Sequence, residues 1–215
     1  MKIAIIGASG FVGTHLVDEA IQRGLEVTAI SRNIDKIKQK EVQKVAIDVN
    51  DVDKLATVLE GHEVVLSAYN SGWTNPNIYD DFMKGSRNVQ DAVKKAGIKR
   101  YIVVGGAGSL YVDENTQVID TPDFPDEFKL GASAARDYLN ELKTEKELDW
   151  AFFSPAIEMN PTIKTGRTGK YRLGKENPVF DNNNKSVLSV EDLAVVLLDE
   201  VQEPKHIQER FTAAY

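Results

Sequence analysis

Short apolar runs and stretches of helical period take turns along this chain as far as Phe153. Lys2 to Ile6 is one such run. Phe11, Val12, Leu16, Val17, Ala20 and Ile21 follow it at helical spacing. Further strand-like runs lie at Glu26–Ile30, Glu41–Ile47, Glu63–Ser67, Arg100–Val104 and Asp149–Phe153. Helical periodicity fills Asp51–Leu59, Tyr79–Ala96, Pro125–Thr144 and Val190–Val201, and Gly24, Gly61 and Gly97 fall where helices should stop. This alternation predicts an α/β, doubly wound parallel sheet with helices on both faces. The rhythm breaks twice, at Gly105–Phe124 and at Asn160–Lys185, where Lys170-Tyr171-Arg172-Leu173 is β-prone. Both breaks follow predicted strands, so they belong at the carboxyl edge of the sheet, where open α/β sheets bind ligands. A solvated surface excursion is the alternative for each.

The turn between the first strand and first helix carries the most chemistry. Gly7, Gly10 and Gly13 are spaced G-x-x-G-x-x-G around Ser9, Phe11 and Val12. In a Rossmann-type fold Gly7 permits the sharp exit from the strand, Gly10 admits a phosphate where a Cβ would intrude, and Gly13 lets the helix pack closely. Backbone N–H groups and a helix N-terminus then meet a pyrophosphate, with Ser9 offering a hydroxyl. A purely structural glycine turn is the rival reading. The second strand ends Ile30-Ser31-Arg32, without the acid that serves ribose hydroxyls in NAD-preferring sites. Arg32 suits a 2′-phosphate instead, with Lys36 close in sequence, which points to NADP while leaving NAD possible. Asp48 and Val49 close the third strand, where the acid can accept from an adenine amino group and Val49 can pack on its ring; helix capping falls better to Asn50 or Asp51. Ser67, Ala68 and Tyr69 close the fourth strand, and Tyr69 and Trp73 either wall a substrate pocket or cover the core edge.

Composition narrows the function. The 215 residues, 42% hydrophobic and 27% charged, can bury a core and fit one domain. There is no apolar run long enough for a membrane span, and the N-terminal run opens straight into the glycine turn rather than a signal peptide's plan. With no cysteine, disulfides, thiolate metal sites and cysteine nucleophiles are excluded, and the expected setting is the cytoplasm. His15, His62 and His206 show no metal-ligand spacing, so no metal is expected. A net charge of −7 argues against a nucleic-acid partner. The expected partner is a small-molecule acceptor; the oligomeric state stays open.

These residues carry a resemblance over nearly the whole chain. Gly7 to Gly13, Ser31-Arg32, Asp48-Val49, Ser67-Ala68-Tyr69, Val103 to Ser109, Asp149-Trp150 with Ser154-Pro155-Ala156, and Ser189 to Ala194 are similar to an atypical short-chain dehydrogenase/reductase of the NAD(P)-binding, NmrA-like type. That group includes biliverdin and flavin reductases. The resemblance implies a single NAD(P)-binding domain over 1–215, with 155–189 as a loop-rich substrate-side excursion. It implies that Gly7, Ser9, Gly10, Phe11, Val12 and Gly13 meet the pyrophosphate and Arg32 the 2′-phosphate. Asp48 and Val49 would frame adenine, and Ser67, Ala68 and Tyr69 the ribose. Gly105, Gly106 and Ser109 would lie beside the nicotinamide, with Pro155 and Ala156 at its carboxamide. Tyr69, Trp73, Gly106, Ser109 and Met159 would border the substrate, and Glu191-Asp192 would play a structural part.

One departure matters. The usual Tyr-x-x-x-Lys pair is replaced by Tyr138 and Lys143, one residue too far apart to share a helix face. Tyrosinate-driven alcohol–ketone chemistry is therefore not expected, and no catalytic acid can be named. A flavin or quinone acceptor relaxes that need, since hydride transfer to a flat electron-poor ring depends on stacking and orientation. Besides such a reductase, a non-catalytic NADP(H) sensor and a sugar-nucleotide epimerase or dehydratase remain readings, the last disfavoured by the short C-terminal region.

Overall fold

The computed structural model describes all 215 residues. Its strands are β1 (Lys2–Ile6), β2 (Glu26–Ser31), β3 (Gln43–Ala46), β4 (Val64–Ser67), β5 (Arg100–Val104), β6 (Asp149–Ser154), β7 (Arg172–Gly174) and β8 (Glu209–Ala214). They form one sheet in the order β3-β2-β1-β4-β5-β6-β8-β7, parallel throughout except for the antiparallel β7–β8 pair at one edge. The helices are α1 (Phe11–Gln22), α2 (Val52–Leu59), α3 (Ile78–Lys95), α4 (Asp126–Leu142) and α5 (Val190–Gln202). α1 and α5 pack on one face around Leu16, Val17, Leu197 and Val201, while α2, α3 and α4 cover the other around Leu55, Val89, Tyr138 and Leu142. This is a Rossmann-type α/β fold.

Side-chain caps fix the starts of two helices. α2 begins at Asp51, whose carboxylate accepts from the Lys54 amide at 3.3 Å, and α5 begins at Ser189, whose hydroxyl accepts from the Asp192 amide at 3.1 Å. The expected run of helices is present within a few residues of the sequence bounds. The third strand is shorter than Glu41–Ile47, and two strands go beyond the six read from the sequence.

Both irregular stretches are structured. Gly105–Phe124 buries Leu110, Val118 and Ile119 and is no solvated excursion. Within 155–189, β7 joins the sheet and a strap ties back to the helices. Arg167 bonds Glu19 of α1 at 2.7 Å, and buried Asp192 of α5 accepts from the amides of Thr168 and Gly169 at 2.9 and 2.7 Å.

At the amino edge of the sheet, buried Arg100, Glu200 and His206 interlock. Arg100 donates to Glu200 at 2.5 Å, and the His206 Nδ1 lies 2.7 Å from the same carboxylate. Burial pushes the Glu200 carboxyl up, but bonds from the His206 ring and from the amides of His206 and Lys205 outweigh it and hold the group below its ordinary value of 4.5. A carboxyl lowered in the fold stabilises it above the unfolded value, and that stability fades as pH falls through the folded value. Melting temperature should therefore drop below about pH 4.5. Glu200→Gln strands the Arg100 charge, so it should cost about 3 kcal/mol at neutral pH and flatten that acid limb. Thermal melts from about pH 3 to pH 7 check both.

Candidate functional site

Sheet order puts β1 between β2 and β4, and the chain winds outward in opposite directions from that point. A cleft of about 270 Å³ opens at the carboxyl ends of these strands. The ends of β1, β2, β3 and β4 all contribute: Gly7, Ser31, Asp48 and Ala68 line it.

The turn after β1 is built for this cleft. Gly7 has φ +79°, and a Cβ there would lie 2.5 Å from the Ala68 carbonyl oxygen. At Gly13 a Cβ would come within 2.1 Å of the Gly7 oxygen, so α1 starts hard against the turn. The Gly7 and Ala8 amides both donate to the Ile30 oxygen, and the Gly10 amide donates to Gly7. The amides of Ser9, Phe11, Val12 and Gly13 have no protein acceptor, and no side chain caps the helix start at Gly10. A helix N-terminus with its first-turn N–H groups free, bare of acidic residues, is a socket for an anion.

The rest of the cleft grades from cationic to mixed polar. Ser9 and Ser31 hydroxyl oxygens meet at 2.6 Å across the turn. Arg32 and Lys84 are exposed lining residues, and neither joins any of the protein's ion pairs. The Asp48 carboxyl is held below its usual range, first by the Asn50 amide at 2.9 Å. The Asn50 side chain donates to the same Asp48 oxygen at 2.8 Å, leaving the other free of protein donors. Val49 is buried beside it. The Tyr69 ring lies on Gly85, where a Cβ would sit 2.4 Å from the phenol oxygen, and its hydroxyl donates to the Asp81 carbonyl at 3.0 Å. Burial pushes that phenol's pKa up.

Of the residues marked from the sequence, Gly7, Ser9, Gly10, Arg32, Asp48, Val49, Ala68 and Tyr69 meet in this cleft. Phe11, Val12 and Gly13 form the helix start beside it. The others sit outside its lining. Ser67 is buried within the sheet. Gly105 is a packing glycine: a Cβ there would fall 1.9 Å from the Phe152 ring. Gly106 faces Ala135 of α4. Ser109 is 1% exposed, its hydroxyl donating to the Gly106 carbonyl and meeting the Ser154 hydroxyl at 3.0 Å, so it does not face open space. Pro155 and Ala156 are buried at the end of β6, and Met159 packs against the α1–α5 core. Trp73 is 57% exposed and set edge-on to Phe128. Lys84, Asp81, Asn70, Ser71 and Asn75 line the cleft without having been singled out, and Asn50, read only as a helix cap, lines it too. Nothing local marks them, since polar residues on a helix or loop are ordinarily just solvated.

Tyr138 is a packing residue. It is fully buried, meets the Tyr101 hydroxyl at 3.3 Å and donates to Gln90 at 3.0 Å. Burial pushes its pKa well above the usual phenol value, and that of Tyr101 up to about 12. On α4, Ala135 faces Gly106 and Ala132 faces Gly108, just past the end of β5.

A glycine turn with free amides, a switch-point cleft and a cation at the end of β2 describe a dinucleotide site, and a family model agrees with it: NAD(P)H-binding, matching residues 7–204. The chain belongs to that family. It is an atypical short-chain dehydrogenase/reductase, and its cofactor is a nicotinamide nucleotide. Over 214 residues it is 38% identical to the uncharacterized protein YwnB of Bacillus subtilis, covering 99% of this chain and 97% of that protein. A solved structure from Bacteroides thetaiotaomicron, provisionally named an epimerase, is 45% identical with a TM-score of 0.90, covering 100% of this chain and 96% of the other. Another, from Streptococcus pneumoniae and provisionally named an NADH-flavin reductase, is 36% identical with a TM-score of 0.85, covering 100% and 99%. No helix in this NAD(P)H-binding protein is long and apolar enough to cross a membrane.

Proposed function

We propose that the protein is an NADPH-dependent reductase acting on a flat conjugated small molecule such as a flavin or quinone. The observation that carries the cofactor half is Arg32, exposed, unpaired and lining the cleft where an NAD site would hold an acid. The free amides of Ser9, Phe11, Val12 and Gly13 would bind the diphosphate. Arg32, with Lys84 across the cleft and Ser31 beside it, would bind the 2′-phosphate. The free Asp48 oxygen would accept from the adenine amino group. Bound there, the cofactor supplies a hydride. The protein's part is orientation, with Ala68 and Tyr69 along the ribose, and solvent would be the proton source.

The missing protein acid supports a flat acceptor over an alcohol–ketone pair. The glycines after β5 pack against Ala132, Ala135, Ile119 and Phe124, and the Tyr138 hydroxyl is buried against Tyr101 and Gln90. The same feature speaks against the epimerase name of the Bacteroides neighbour. The pneumococcal neighbour's name supports a flavin but carries NADH; Arg32 is the reason for preferring NADPH here. NADPH consumption across flavins, quinones and carbonyls tests the reading. Turnover with a flavin or quinone supports it, and no consumption with any of them ends it.

The missing Tyr-x-x-x-Lys pair, with Tyr138 fully buried, also favours a second reading, a sensor of the NADP(H) ratio. Equal affinity for NADP⁺ and NADPH would dispose of that reading, because a ligand pair without differential affinity shifts nothing.

A further inference from the structure

Trp73 is a large apolar side chain that the fold leaves outside. It is 57% exposed, and its ring stands edge-on to Phe128 with centroids 5.4 Å apart at 83°. It rests on Gly131 of α4, where a Cβ would lie 2.7 Å from the indole. A side chain larger than glycine at that position would push the indole away. The pair is therefore positioned by packing, yet Trp73 stays 57% and Phe128 41% exposed.

Its place in the fold matters. Trp73 lies on the connection from β4 to α3, whose Asn70, Ser71 and Asn75 line the cofactor cleft. β4 stands between β1 and β5 in the sheet. The aromatic corner thus borders the cleft on its β5 side, away from Arg32 at the end of β2.

The charge around the corner is mostly negative. α3 opens with Asp80 and Asp81, and α4 with Asp126 and Glu127 directly before Phe128. Acids at helix starts offset the helix dipole, but four full charges exceed the half-charge of each of two helix ends. The one cation on these turns, Lys129, is bonded to Asp126 at 2.7 Å.

We infer that the acceptor is an uncharged flat ring stacked on the open face of Trp73 beside Phe128, and that the acids opening α3 and α4 turn away phosphorylated forms of the same ring. This rests on the reductase reading. The cleft end that takes phosphate carries Arg32 and Lys84 alongside Asp48 and Asp81; the aromatic corner carries Asp80, Asp126 and Glu127, with Lys129 as the one cation on these helix starts.

Riboflavin and FMN share one ring and differ by a phosphate, so they are the probes. With NADP⁺ saturating and at low salt, equilibrium dialysis should give riboflavin about tenfold tighter binding than FMN, the gap closing as salt rises. Asp126→Asn, which also frees Lys129, should narrow the gap by improving FMN alone. Trp73→Ala should raise the riboflavin KM about tenfold while leaving the NADPH Kd unchanged, a split that general damage to the fold would not give. FMN binding as tightly as riboflavin at low salt, or an unchanged KM in Trp73→Ala, overturns the inference and leaves an NADPH reductase standing. A protein that binds no NADPH removes the reductase reading itself.

Discussion

Arg32→Ala should weaken NADPH binding by about 30- to 100-fold and leave NADH binding within about twofold. The guanidinium is exposed at the cleft, takes part in no ion pair of its own, and follows Ser31, whose hydroxyl meets Ser9 at 2.6 Å. A charge-assisted, forked contact to a phosphate dianion contributes about 2–3 kcal/mol where water is partly excluded. Because the contact is ionic, the wild-type preference for NADPH should shrink as salt is raised, and the variant's should not. The fold should be indifferent, since no hydrogen bond within the protein depends on that side chain. Calorimetric titration of both nucleotides into both proteins, at two salt concentrations, checks this. Equal loss for NADPH and NADH in the variant would show that Arg32 does something other than read the 2′-phosphate.

The second large effect separates two glycines of one turn. At Gly13 an added methyl would meet backbone atoms at 2.1 and 2.8 Å, so the fold itself forbids it. At Gly10 the nearest atom to a new Cβ is the Gly7 oxygen at 3.2 Å, and φ is −82°, which any residue adopts. Gly10→Ala should therefore fold with a melting temperature within a few degrees of wild type. Its methyl would stand over the free amides that open α1. Losing two hydrogen bonds to a charged diphosphate, at about 1.5 kcal/mol each, weakens binding on the order of 100-fold. Thermal melts beside nucleotide titration distinguish this outcome from a damaged fold. A variant that melts early and binds normally would mean the glycine serves only the turn.

Those two glycines also mark how much of this protein is legible in its sequence. β1 and its turn announce themselves because the determinants are contiguous: an apolar run, then glycines at fixed spacing, then an apolar stripe of period 3.6. β8 does not. Its strand carries Arg210, buried only because the guanidinium donates to the Ser109 carbonyl at 2.5 Å and to the Glu176 carboxylate. Those partners lie 101 and 34 residues away. A charged residue in a short run reads as surface until such partners are known. Ser109 illustrates the converse. It stands in a glycine-rich strand end that suggests an open active-site loop, yet Gly105 and Gly108 let Phe152 and Ala132 approach, and the serine is sealed beside them. Gly105 needs no cofactor to explain it, whereas the free amides beside Gly10 do. Lys84 is invisible to sequence reasoning for a third reason. It lies on the exposed side of α3, and only the path of β4 and its loop brings it to the cleft.

The whole account depends on the amides that open α1 receiving an anion. Amide chemical shifts of the ¹⁵N-labelled protein, followed while NADPH is added, test this most directly. The largest changes should fall on Ser9, Gly10, Phe11, Val12 and Gly13, with smaller ones at Arg32 and Asn50. If NADPH binds while those five amides stay where they were, the diphosphate lies elsewhere and the account is wrong.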